Sequence, residues 1–150
     1  MRVVVQRVKE ASVTIKDTVK SQITEGLLIF VGVEELDAQA DIDWLAAKIS
    51  NLRIFGDESG LMNRSVMDIQ GEMLVISQFT LHASTKKGNR PSFLKAAKPI
   101  LAIPLYEQFV ETLAIESRLR VVTGIFGEDM KIALLNDGPV TILMDSKNRE

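Results

Sequence analysis

Four apolar, β-branched segments crowd into the first 34 residues: Val3 to Val8, Ala11 to Ile15, Val19 to Thr24 and Leu27 to Val33. No gap between them exceeds three residues. A parallel pair needs a crossover of a dozen residues or more, so neighbours this close must pair antiparallel. Lys16-Asp17-Thr18 has the length and polarity of a hairpin turn, and Gly26 breaks the chain before the fourth segment.

The period then changes. Ile42, Leu45, Ala46, Ile49 and Leu52 form one apolar stripe at helical spacing, with Asp37 and Asp41 as candidate cap or first-turn acids. A helix is predicted over 38–52. Gly56 to Gly60 is loop by composition, and Met73 to Phe79 is a strand. Ala83 to Pro91 is a polar loop. Pro99 and Pro104 bracket a helix start, because proline suits the first turn and not the interior. Leu105, Phe109, Val110 and Leu113 supply that helix with an apolar face. Strands are expected at Arg118 to Ile125, Lys131 to Leu135 and Val140 to Met144. Most connections are too short for crossovers. The expectation is an α+β fold, one domain over residues 1–150, mostly antiparallel sheet with two to three helices.

There is no cysteine, which removes disulfides, thiolate metal sites and thiol nucleophiles. No apolar run reaches the roughly 18 residues of a membrane span, and the first residues read as a strand, not a signal peptide. A soluble cytoplasmic protein is expected. The acidic clusters Glu34-Glu35 and Asp57-Glu58 are read as solvated, so no metal and no cofactor are expected. Net charge is −2, yet from residue 73 to 106 there is no acid and there are five cations: Lys86, Lys87, Arg90, Lys95 and Lys98. Local charge governs phosphate binding. The plain alternative is a solvated loop leading into a helix.

Two segments could carry chemistry. In Ser77-Gln78-Phe79-Thr80-Leu81 a strand turns polar just before the basic loop; as an extended strand it would set Gln78 and Thr80 on one face. A hydroxyl nucleophile needs a base within reach. His82 is the sole histidine, two residues from Thr80, and reads better as a satisfied or solvent-exposed side chain than as a base. An already activated ester needs less: orientation and N–H donors aimed at the oxyanion. In Asn136-Asp137-Gly138-Pro139-Val140-Thr141, proline interrupts a strand-like run and marks an edge, bulge or break. On the residues alone an ordinary turn with a trans Gly138–Pro139 bond is favoured.

These segments, with Gln6-Arg7-Val8, Asn51 to Phe55, Gly88-Asn89-Arg90-Pro91-Ser92-Phe93 and Gly124-Ile125-Phe126-Gly127 in order and at matching spacing, make the chain similar end to end to the D-aminoacyl-tRNA deacylases of the bacterial and eukaryotic type. The resemblance implies a homodimer that hydrolyses the ester between a D-amino acid and the tRNA 3′ end. It implies a site shared between subunits, with Ser77 to Leu81 of one facing Gly138 and Pro139 of the other across a cis bond. The Gly138 and Pro139 carbonyls would fill the space an L side chain needs, and glycyl-tRNA would be accepted. It implies assistance by the tRNA 2′-OH, with Phe79 and Thr80 offering N–H groups. Ser77, Gln78 and Met130 would line or brace the pocket, and Arg7 would orient the Gly138-Pro139 loop. Lys86, Lys87 and Arg90 become candidates for tRNA contact. A Thr80 nucleophile and a non-catalytic tRNA-binding dimer remain as alternatives. Leu61, His82, Ser84 and Glu128 stand where the family commonly has other residues, which bears on the rim of the site and on tRNA affinity.

Overall fold

The computed structural model describes residues 1–149. Strand β1 (Arg2–Ile15) is the spine of a six-stranded mixed sheet ordered β2 (Thr18–Ile23), β1, β3 (Gly26–Gly32), β6 (Glu72–Ser77) and β7 (Val121–Thr123), with β8 (Lys131–Asp145) on the other side of β1. The two expected strands Val3 to Val8 and Ala11 to Ile15 are one bent strand. Its first half pairs antiparallel with β3 (Gly26–Gly32) and its second half with β2 (Thr18–Ile23). The β1–β2 hairpin turns where expected, with Lys16 and Asp17 both at positive φ, as a type I′ turn requires.

Strand β8 (Lys131–Asp145) pairs antiparallel with both halves of β1, merging the expected strands Lys131 to Leu135 and Val140 to Met144. Gln6 pairs with Thr141 and Val8 with Asn136, so Arg7 alone opposes residues 137–140. That excess is a bulge around Gly138-Pro139, where proline has no N–H to give the ladder.

Two connections depart from the antiparallel pattern. Strand β6 (Glu72–Ser77) lies parallel to β3, and β7 (Val121–Thr123) parallel to β6. Helix α1 (Gln39–Asn51) and a small hairpin of β4 (Phe55–Gly56) and β5 (Met62–Arg64) intervene before β6. Helix α2 (Pro99–Ser117) intervenes before β7.

The α1 stripe is fully buried at Ile42, Leu45, Ala46 and Ile49. Asp41 accepts the Ala38 N–H at 2.9 Å and so holds the helix start, whereas Asp37 accepts from Glu34 N at 2.8 Å and belongs to the preceding turn. Helix α2 begins five residues earlier than a start at Pro104 would place it. Pro99 is in its first turn, and Pro104 lies inside it. Pro104 removes only the bond to the Ile100 carbonyl, on a turn where Ile100 is exposed to solvent, so water can take that place. Phe109 and Leu113 pack with the α1 stripe, Leu27, Ile29, Met73 and Val75 into the main core. A second cluster, with Val8, Val13, Leu28, Leu74 and Ile76, lies on the other apolar face of the strands. No helix among the described residues is long and apolar enough to cross a membrane.

Candidate active site

Strand β6 ends at Ser77 because its partner ends too: Val31 pairs with Ser77, and Gln78 N–H donates to the Val31 carbonyl at 2.7 Å as the last ladder bond. Beyond it the backbone must satisfy itself locally. Phe79 to His82 therefore form a turn of 3-10 helix, with Leu81 N–H donating to Gln78 and Ala83 N–H to Thr80. This corrects the extended reading of Ser77 to Leu81. In the turn, the Gln78 amide donates to the Thr80 hydroxyl at 2.5 Å.

Beside the turn is a cleft of about 280 Å³. Ser77, Gln78 and Phe79 line one side, Phe126, Met130 and Ile132 another. The sequence-derived residues Ser77, Gln78, Phe79 and Met130 are thus brought together, with Thr80 bonded to Gln78 at the edge. Phe126 rests edge-on against Tyr106 at 5.8 Å between ring centres, and the buried Tyr106 hydroxyl donates to the Val75 carbonyl at 2.9 Å. Burial pushes that phenol far above its ordinary range, so it acts as a donor and not as a base. The α2 apolar face named from the sequence did not include Tyr106, and its hold on β6 was not legible there.

His82 is neither exposed nor satisfied. It is 1% exposed, and neither ring nitrogen has a hydrogen-bond partner among the described residues. It packs under the turn against Gly32 and does not line the cleft.

On the rim, Phe79 is 56% exposed and meets Phe93 edge-on at 5.1 Å. Ser84 and Ser92 exchange backbone bonds of 2.8 and 3.0 Å, which closes the intervening chain into a loop. Lys86, Lys87 and Arg90 lie exposed on it, and the Phe79–Phe93 contact ties its base to the cleft.

The Gly138-Pro139 bulge lies elsewhere. Its peptide bond is cis, unlike the trans bond the residues alone favoured. Gly138 has φ +143°, and a Cβ there would sit 2.8 Å from the Val140 side chain and 3.0 Å from the Arg7 guanidinium. Arg7 Nε donates to the Asp137 carbonyl at 2.8 Å and Nη1 to the Ile54 carbonyl, tying the bulge to the end of the α1–β4 connection. The Asn136 side chain closes the other end, accepting from Val140 N–H at 2.9 Å and donating to Val140 O at 3.3 Å. The sequence marked Asn136 only as part of a motif. None of residues 136–140 lines the cleft. Ile132, which does, pairs with Val13, six residues along β1 from Arg7; at ~3.3 Å per residue that is about 20 Å of strand.

A larger groove of about 610 Å³ runs past Lys9, Glu10, Gln22, Thr24, Glu72 and Arg120. Arg120 there donates to Glu72 at 2.7 Å and to the Gln22 carbonyl at 3.1 Å, while Lys9 pairs with Glu25 and Asp137 outside it. Among the described residues no three His, Asp or Glu side chains are grouped as metal ligands would be.

An α+β domain with a mostly apolar cleft at a strand end, an amide, hydroxyls and the Glu128 and Asp129 carboxylates on its edge and no histidine facing it is the frame of a small hydrolase that needs a reactive substrate. A family model described as D-Tyr-tRNA(Tyr) deacylase matches residues 4–145. The chain is 62% identical over 150 residues to a D-aminoacyl-tRNA deacylase of Flavobacterium johnsoniae and 64% identical to one of Bacteroides thetaiotaomicron, each alignment covering all of both chains. Among solved structures it resembles a c-Myc DNA unwinding element binding protein (TM-score 0.90, 41% identity, 97% of this chain and 98% of that one). It also shares the fold of a probable eukaryotic D-amino acid tRNA deacylase at 15% identity (TM-score 0.82, covering 95% and 97%). The chain belongs to the D-Tyr-tRNA(Tyr) deacylase family, and it is an enzyme of the hydrolase class.

Proposed function

We propose that the chain hydrolyses the ester between a D-amino acid and the 3′ end of tRNA, leaves L-aminoacyl-tRNA intact, and so proofreads chirality in translation. The full-length identity to proteins named D-aminoacyl-tRNA deacylase supports the reaction class. The observation that carries the site is the separation of its two halves. The cleft holds Ser77, Gln78, Phe79 and Met130, the bulge presents Gly138 and Pro139, and both face solvent in one chain. A homodimer in which the bulge of one protomer enters the cleft of the other completes each site. Leu134, Leu135 and Leu143 along edge strand β8 are exposed at 38%, 55% and 67%, and burying them gives such a pairing its apolar contact.

In this arrangement the bulge acts by shape. The Gly138 and Pro139 carbonyls stand where an L side chain would go, so the L ester is excluded by clash, and glycyl-tRNA passes. Gln78 and Ser77 brace the turn, and the Phe79 and Thr80 N–H groups orient the ester and meet the developing oxyanion. The tRNA 2′-OH assists the attack. Lys86, Lys87 and Arg90 take the tRNA backbone in the cytoplasm, where charged tRNA is used. The reaction invokes no cofactor.

A Thr80 nucleophile is disfavoured by one observation: its hydroxyl oxygen accepts from the Gln78 amide, and among the described residues no hydrogen bond joins it to a carboxylate or to His82. The test is deacylation of D-tyrosyl-tRNA and L-tyrosyl-tRNA side by side. Release from the D form alone is expected, and equal hydrolysis of both would overturn the chiral reading. Substantial residual activity in Thr80→Ala is expected; total loss with unchanged tRNA binding would favour the nucleophile.

A further inference from the structure

Met130, just before β8, lines the cleft. Gly124, just after β7, does not line the cleft but lies directly against the Met130 side chain. A Cβ placed on Gly124 would sit 2.4 Å from Met130 Sδ, 3.3 Å from Ile76 Cδ1 and 3.7 Å from Val13 Cγ2. The backbone at Gly124 is outside the left-handed region, so conformational freedom does not require glycine there. Space does: the thioether occupies the volume that any side chain at 124 would take.

We propose that Gly124 is a positioning residue that sets the depth of the cleft, by providing the recess into which Met130 withdraws. Ile76 and Val13, both buried, close the recess on its other sides. A methyl group at 124 needs its neighbours at about 3.5–4.0 Å, more than 1 Å beyond the present gap to sulfur. Close-packed Ile76 and Val13 cannot yield that much. The methionine can, since its three rotatable bonds let it swing without moving the backbone, and the open volume beside it is the cleft. The cost of a side chain at 124 therefore falls on substrate fit and not on the fold. This rests on the reading that the cleft receives the aminoacyl end of tRNA.

The experiment is a double-mutant cycle of Gly124→Ala and Met130→Ala in the full chain. Four quantities are measured: kcat and KM on D-tyrosyl-tRNA, melting temperature, and the ε-methyl NMR signal of Met130, assigned by its loss in Met130→Ala. Gly124→Ala is expected to raise KM by up to about 100-fold, the scale a misplacement near 1 Å can cost, with kcat changed less and the methyl signal shifted. In the Met130→Ala background the same change should have little further effect, because nothing is left to displace. Additive effects, or an unmoved methyl signal, would overturn the proposal. A Gly124→Ala chain that does not fold would also refute it, because the cost would then fall on the fold and not on substrate fit. Loss of the parent reading is distinguishable: a wild-type chain inactive on D-tyrosyl-tRNA refutes the function, while the methyl shift and the stability cycle still decide whether Gly124 positions Met130.

Discussion

Replacing Arg7 should loosen the Gly138-Pro139 bulge by a calculable amount. The guanidinium is only 14% exposed and spans two carbonyls, Asp137 through Nε at 2.8 Å and Ile54 through Nη1, with the Asp137 carboxylate 3.5 Å from Nε. Hydrogen bonds from a charged donor contribute about 1.5–3 kcal/mol each. Water can reach part of the group, so the lower figure applies, and Arg7→Met should cost about 3 kcal/mol in all. For a chain of this size that lowers Tm by about 6–12 °C. Arg7→Lys is the sharper variant. It keeps the charge, but a single ammonium on a flexible stem lacks the planar fork that reaches both carbonyls, so it should lose about half as much. Thermal unfolding followed by circular dichroism gives the stabilities, and deacylation of D-tyrosyl- and L-tyrosyl-tRNA gives the consequence for the bulge. Asp137 directly precedes Gly138, so both variants should lose D-specific activity by a larger factor than their stability loss explains at 25 °C. An Arg7→Lys protein with the wild-type Tm and selectivity would refute the argument that the fork tethers the bulge.

Asp41 gives a pH dependence with a definite sign. Burial alone would raise its carboxyl; Lys147 at 2.7 Å, Ser146 and the Ala38 N–H outweigh that and hold it down to about 2 from an ordinary 3.8. The stabilisation is therefore complete above about pH 4 and fades as pH falls toward 2. It should be about 1–2 kcal/mol once the half-exposed lysine is discounted. Urea midpoints of wild type and Asp41→Asn should differ near pH 6 and converge near pH 2. Replacing Lys86, Lys87 and Arg90 together with alanine should reduce the slope of log Kd for tRNA against log salt by about 2 to 3; an unchanged slope in fluorescence anisotropy would remove the loop from the tRNA interface. Tyr106→Phe should destabilise by about 1 kcal/mol in urea titration, from the lost bond to Val75; no change would mean that the hydroxyl does not hold β6.

Local pattern sufficed for much of this molecule. The α1 stripe, the β1–β2 turn at Lys16-Asp17 and the strand at Met73 were legible because each follows from the side-chain period or from the φ angles a short turn demands, quantities set by neighbours in the chain. The end of that strand was not legible. Phe79 to His82 coil because β3 stops at Gly32, 47 residues before Phe79, and nothing in Ser77 to Leu81 records where its partner ends. The parallel crossovers onto β6 and β7 escaped for the same reason, since a strand does not encode which neighbour it will meet.

The candidate site divides along the same line. The residues of the cleft and of the bulge could be named from the sequence by likeness alone; their chemistry as isolated segments pointed only to a polar strand end and a turn. Tertiary structure decided the rest. It seats Met130 of the cleft against Gly124, puts His82 underneath the turn and out of reach of the cleft, and lets Arg7 and Asn136 hold a four-residue bulge opposite a single residue of β1. Those are contacts between segments tens of residues apart. They depend on packing volume and on which carbonyls are left unpaired, and neither quantity exists until the strands have met.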